Sequence, residues 1–415
     1  MISCPFHPTA NVLAKDRGLA NLSVVEIEHP VGAATMSEVE AKADRIVDEV
    51  ERAFVQALAP APAVTHTERE PELMTMPGEP YEANDFMVDA GWTDGLPCIP
   101  PTPELVDRMI TGSVRSADDL IALLPPRMGA ATVRQIAISA VMAGCLPEYM
   151  PVLVAAVEAV ADDAYGLSHR AITTHPGAPL IIVNGPIVKK IGINAGTGVF
   201  GPGWRANATI GRALRLAMMN IGGALPGITD MSQHGHPGKY TYCIAEDEEA
   251  NPWEPLHVER GFRPEQSVVT VLNAEAPHNI SENMHTTARE ILTTCASSLS
   301  PLGSNNLYSQ GEPVLALGPE HAAFIASEGW NKLDVKLFIY EKARQPWALV
   351  RGRGKSLGPR IPKWLEHPLD TDMVPIVTRP EELIVIVCGG AGGKSMAIPT
   401  AGGQSRSVSR EVRLA

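Results

Sequence analysis

Apolar positions recur at helical spacing in several stretches of the chain. Ser37-Glu-Val-Glu40 has the form of a capping box, and Val39, Ala43, Ile46, Val47, Val50, Phe54 and Leu58 follow it as one stripe. A short apolar run at 22–27 reads as a strand ahead of that helix. Thr132 and Gln135 repeat the capping pattern before Val133, Ile136, Ala137, Ala140 and Val141. Gly144 and Pro147 stop that second helix, and Pro151 suits the first turn of a third. The 136–161 stretch is therefore a pair of buried helices, because Pro147, Glu148 and Pro151 interrupt what would otherwise be a long apolar span.

Period-two or continuous apolar runs predict strands at 179–183, 240–245, 268–272, 313–316 and 383–387. A helix with Ile210, Leu214, Ala217, Met218 and Ile221 on one face ends at Gly222-Gly223. Further helices are expected at 281–295, 319–327 and 334–343. Strands and helices mix throughout, so the fold class is α/β or α+β. The expected architecture is a mixed multi-layer large domain over 81–415, preceded by a small strand-helix segment over 1–58 and a proline-rich linker over 59–80.

A length of 415 residues exceeds one ordinary core. The formal charge of −13 argues against nucleic acid and against anionic membranes as partners. The six cysteines form no CxxC pair, and their scatter fits reduced thiols in the cytoplasm. The N-terminus has no basic region followed by a long apolar run, so no signal peptide is expected.

The densest candidate chemistry lies at 192–203, where five glycines occur in twelve residues just before a helix. Glycines let backbone N–H groups approach a ligand, and a helix start adds unpaired donors. Asn194, Gly196, Gly198, Gly201, Gly203, Arg205 and Asn207, with Lys239 further on, are the expected contacts to a small anionic substrate; Arg212 adds charge, and no acid stands between Lys190 and Asp230. The GxGxxG at 196–201 is followed by Pro202 and Gly203, which break the strand–turn–helix context of a dinucleotide fingerprint. The run from Cys388 to Ser395 resembles a P-loop but has cysteine at its first glycine and Pro399 too near, so it reads as a backbone nest or a glycine turn.

Three residues are expected to carry chemistry: Cys145 as a thiol, His175 as acid or base, and Glu246 as a supporting carboxylate. Each has a plain structural alternative as a core or loop residue. His234 and His236 form a His-x-His that could supply two ligands to a divalent metal, with Glu246 as a third, or could be two exposed loop histidines. No other cofactor is evident.

The segment running from Pro5-Phe-His-Pro-Thr-Ala-Asn through Val24-Val-Glu-Ile-Glu-His29-Pro-Val-Gly32 and into the helix at 37–58 resembles the C-terminal half of the UGSC family. That family of thiol or selenocysteine proteins is named for a Sec/Cys-Gly-Ser-Cys motif, which this chain lacks; only Ser3-Cys4 stands near its start. The phrases Met142-Ala-Gly-Cys-Leu-Pro-Glu-Tyr, Trp204-Arg-Ala-Asn-Ala-Thr-Ile-Gly-Arg and Gly238-Lys-Tyr-Thr-Tyr-Cys-Ile-Ala-Glu resemble the large domain found beside such segments. The resemblance implies thiol-linked redox or carbon–sulfur chemistry, an oligomer, and a UGSC-type partner chain supplying the missing half. Three functions follow as expectations: a thiol-dependent enzyme subunit acting on a small anion, a metal-dependent lyase or hydrolase at His234 and His236, and a non-catalytic scaffold that docks the partner.

Overall fold

The computed structural model describes residues 1–55, 73–351, 365, 367–402 and 405–414. Two four-stranded mixed sheets form its centre. In the first, Val408–Glu411, Val268–Ala274, Ala178–Asn184 and Cys243–Ala245 lie side by side in that order. Ala178–Asn184 runs antiparallel to Val268–Ala274 and parallel to Cys243–Ala245. In the second, Val314–Leu317 pairs parallel with Ile384–Val387 and antiparallel with Lys394–Ile398, which also pairs antiparallel with His278–Ser281.

Side chains alternate across a strand, and here both faces are buried. Leu180, Ile182, Leu272 and Ala274 of the first sheet share one core with Val314, Ala316, Ile384, Ile386 and Ile398 of the second. The alternate residues Ile181, Val183, Val269 and Val271 point the other way, into the helices Val133–Ala143, Met150–Ala161 and Arg205–Asn220. Leu315, Leu317, Val385 and Val387 do the same toward Ala288–Leu299, Pro319–Ser327 and Lys332–Lys342. The result is four layers: helices, sheet, sheet, helices. Its three apolar clusters explain why Ala178–Asn184, Val314–Leu317 and Ile384–Val387 read as nearly continuous hydrophobic runs, and why the fold class is the mixed, multi-layer one expected.

The pair of buried helices stands as expected. Thr132 caps the first through the Gln135 N–H, and Gly144 ends it at φ +86°, a left-handed conformation open to glycine. Among the described residues no helix is long and apolar enough to cross a membrane. Other boundaries differ. The expected helix at 281–295 begins only at Ala288, capped by Thr287 and Glu290, because His278–Ser281 is taken as the edge strand of the second sheet. The strand expected at 240–245 shortens to Cys243–Ala245, since Pro237–Lys239 forms a 3-10 turn.

The N-terminal segment pairs Ile2–Ser3 with Glu26–Ile27 in parallel around the helix His7–Asp16. Its capping box is Thr35 with Glu38, two residues ahead of the expected pair, and the helical stripe breaks into Met36–Asp44 and Val47–Val55. Leu58, and the linker as far as residue 72, lie outside the described residues. Ala14, Val25 and Ile27 are the only buried apolar residues described in this segment, so it leans on the large domain. The Thr9 hydroxyl donates to the Ile228 carbonyl, Arg17 Nε to the Pro126 carbonyl at 3.1 Å, and Arg127 pairs with Asp16 at 3.6 Å.

Candidate functional site

The 192–203 loop is closed by its own hydrogen bonds. Asn194 N–H donates to Asn207 Oδ1 at 2.8 Å, and Asn207 Nδ2 returns a bond to the Asn194 carbonyl at 2.9 Å. Gly196 N–H donates to Asn194 Oδ1, and Gly201 N–H to the Gly198 carbonyl. The second glycine-rich stretch seats against it: Gly389 N–H donates to the Ala195 carbonyl, and a Cβ at Gly390 would lie 2.4 Å from Thr197 Oγ1. Gly198 and Gly203 adopt φ of +72° and +109°. The two glycine-rich segments are thus parts of one packed junction between the sheets.

The arginines near the loop also have partners. Arg205 donates Nε and Nη2 to the Gly144 carbonyl at 3.0 and 2.9 Å, capping the C-terminus of the Val133–Ala143 helix. Arg212 makes a bidentate pair with Asp94, both bonds 2.8 Å, and donates to the Leu96 carbonyl and Cys98 Sγ.

The three residues expected to act in chemistry have separate surroundings, and no hydrogen bond or ion pair joins any two of them. Cys145 Sγ donates to the Thr209 carbonyl at 3.4 Å, and burial pushes its thiol up to about 12. Burial likewise pushes Cys295 and Cys388 up to about 12 and raises Cys243. Glu246 is buried and accepts from Asn184 Nδ2, Leu256 N–H and Asn251 Nδ2 at 2.7–2.8 Å. Burial raises its pKa, but this saturated carboxylate pins the loop after Cys243–Ala245. His175 Nε2 donates to Glu275 Oε1 at 2.7 Å.

His175 and His236 share a local device. Each opens a His-Pro-Gly tripeptide, and in each the glycine N–H donates to the histidine Nδ1 at 3.1 Å. With Nδ1 an acceptor, each Nε2 carries the proton. His175 gives it to the Glu275 carboxylate, and His236 gives it to the Ala274 carbonyl at 3.3 Å. Two turns therefore grip consecutive residues at the end of one strand. Both nitrogens of His236 are used, so it has no lone pair free for a metal. Among the described residues no group of three His, Cys, Asp or Glu side chains gathers to hold one.

The open site lies beside these turns. A cavity of about 780 Å³ is walled by the end of the Arg205–Asn220 helix (Arg215, Met219), the 225–228 turn, the 232–240 loop and Gly91, Thr93 and Asp94. Asp230 is buried in its wall. Lys239 Nζ donates to both its oxygens at 3.0 and 2.7 Å, and Arg215 Nη2 to Oδ2 at 3.0 Å. Burial pulls the Lys239 pKa down, with Asp230 opposing. His234 lines the same cavity, is exposed, and makes no hydrogen bond among the described residues. Of the expected binding and metal residues, Lys239, His234 and His236 come together here; Asn194, Gly196, Gly198, Gly201, Gly203, Arg205 and Asn207 belong to the glycine junction. Arg215 and Asp230 are site residues that the sequence alone does not single out, although Asp230 is the first acid after Lys190 and follows three arginines.

The Asp230 turn is anchored twice. Thr229 Oγ1 donates to the Gly223 carbonyl and accepts from Leu225 N–H, while the N-terminal Thr9 holds the Ile228 carbonyl. Residues 1–56, which include Thr9, match the UGSC family. No curated protein and no solved structure matches the chain.

Proposed function

We propose that this chain is an enzyme that binds a small anionic substrate in the cavity beside Asp230, and that His234 moves a proton there. One observation carries the reading. Arg215 and Lys239, two largely desolvated cations, share a single carboxylate at the wall of the cavity. A net positive charge in a partly water-excluded pocket attracts an anion more strongly than the same charge in bulk water. His234 is the cavity imidazole with both ring nitrogens unengaged among the described residues, which suits general acid or base work. The buried thiols remain protonated at neutral pH, so imidazole rather than thiolate is the reactive group of this reading. All six cysteines are free, in keeping with a reducing, cytosolic setting.

The test is a screen of small carboxylic and phosphorylated acids for binding and turnover. Lys239→Met should lose binding; His234→Ala should keep binding and lose turnover. A native chain that binds none of these acids refutes the reading. A second reading, a subunit that docks a UGSC-type partner, draws on Val47, Phe54 and Val55, exposed by 50%, 86% and 84% within the matched segment. Recovery of an active chain with no second polypeptide would remove it.

A further inference from the structure

We propose that the anion taken by this cavity is a monocarboxylic acid with an apolar body, held by its carboxylate at Arg215 and Lys239 and by its hydrocarbon part against Met219, Leu225 and Ile228. The inference rests on the anion reading above and narrows it. The charge balance is the first argument. Two cations face one carboxylate, which leaves a single positive charge at Asp230. The other wall acid, Asp94, is already neutralised by its bidentate bond to Arg212. One negative charge completes the balance. A phosphate dianion would leave an excess negative charge beside two buried carboxylates, which low-dielectric surroundings penalise.

Shape is the second argument. A cavity of about 780 Å³ far exceeds the space a bare carboxylate needs, and lies in the range that holds whole ligands. Besides the Arg215–Asp230–Lys239 group, Met219, Leu225, Pro226, Ile228, Pro237 and Tyr240 supply apolar wall. Ile228 and Tyr240 stand 42% and 49% exposed, so a ligand chain along them would remove apolar surface from water.

The native full chain tests this directly with acetate, butanoate, hexanoate and inorganic phosphate, titrated by calorimetry or ligand-observed NMR. Affinity should rise along the acids by roughly fourfold per methylene, the value of burying one such group. Phosphate should bind more weakly than hexanoate. Ile228→Asn, at a half-exposed position whose backbone bond to Thr9 is retained, should weaken hexanoate roughly fivefold and leave acetate within about twofold. A flat series, or phosphate binding tighter than hexanoate, overturns the carboxylic-acid assignment while leaving the anion reading in place. Binding of neither phosphate nor any acid overturns both.

Discussion

Asp230→Asn is the most searching change to this structure. The side chain keeps its shape, so the turn that carries it and the Ser232 N–H bond to Oδ1 at 3.3 Å are kept. What changes is charge. Arg215, Asp230 and Lys239 side chains are exposed by only 8%, 4% and 15%, so little water replaces the lost carboxylate. Removing one partner of a buried ion pair typically destabilises by about 3–5 kcal/mol, because the other charge stays buried and unpaired. Here two cations are left, and with the Ser232 bond kept the amide nitrogen of asparagine takes the Oδ2 place, where it faces both Arg215 and Lys239 donor to donor. Burial already lowers the Lys239 pKa, so the ammonium can relieve part of the strain by releasing its proton; the lower part of that range, about 3 kcal/mol, is expected. Urea unfolding at pH 7 measures the difference, with the slope unchanged if only stability moves. Formate supplies a second readout. It should restore stability to the variant more than to the native chain, by about 2.7 kcal/mol at a hundred times its dissociation constant. A variant within 1 kcal/mol of native, or equal formate responses in both, refutes the view that Asp230 neutralises this pair.

Gly211→Ala tests how closely the Arg205–Asn220 helix sits on the sheet: a Cβ would meet Thr241 Oγ1 and Tyr242 N at 2.5 Å, so thermal or urea unfolding should register a loss of roughly 1–3 kcal/mol. Thr9→Val removes the hydroxyl that holds the Ile228 carbonyl and should lose about 1 kcal/mol and weaken acid binding, whereas Thr9→Ser should preserve both; equal behaviour of the two variants would show that the bond is idle. Burial lowers the pKa of His236 and of His321 below the ordinary histidine value. The unfolded chain therefore binds their protons more tightly, and their contribution, complete above about pH 6.5, is lost as pH falls through the depressed values. Unfolding free energies from urea titrations at pH 7 and pH 5 should differ by at most about 1.4 kcal/mol per pH unit for each histidine, and His321→Gln should flatten the dependence.

Arg205 and Arg212 show where a sequence stops informing. Their charge and their place after a glycine loop are visible in the chain, but their partners are not: the Gly144 carbonyl lies 61 residues back and Asp94 lies 118 residues back. Five of the eight strands in the two sheets, and the long helices beside them, were legible because each carries its own apolar pattern; His278–Ser281, Lys394–Ile398 and Val408–Glu411 were not, because polar residues make up most of the first and last and open the middle one. Side-chain pairing across such distances has no periodicity to read. Arg215 was hidden for the same reason, since it falls among Leu214, Leu216 and Ala217 on a helix that reads as core. The histidines teach the converse. His-x-His invites a metal reading by counting only ligands, yet His236-Pro237-Gly238 and His175-Pro176-Gly177 are one repeated local motif, and a glycine N–H two residues on takes each Nδ1. That bond spans two residues, so it was within reach of the sequence. It leaves one tautomer for each ring and aims the paired Nε2 protons at Ala274 and Glu275. The same turn that removes His236 from metal binding delivers Lys239 to Asp230, which is why the cavity's charge sits one residue beyond the motif rather than on it.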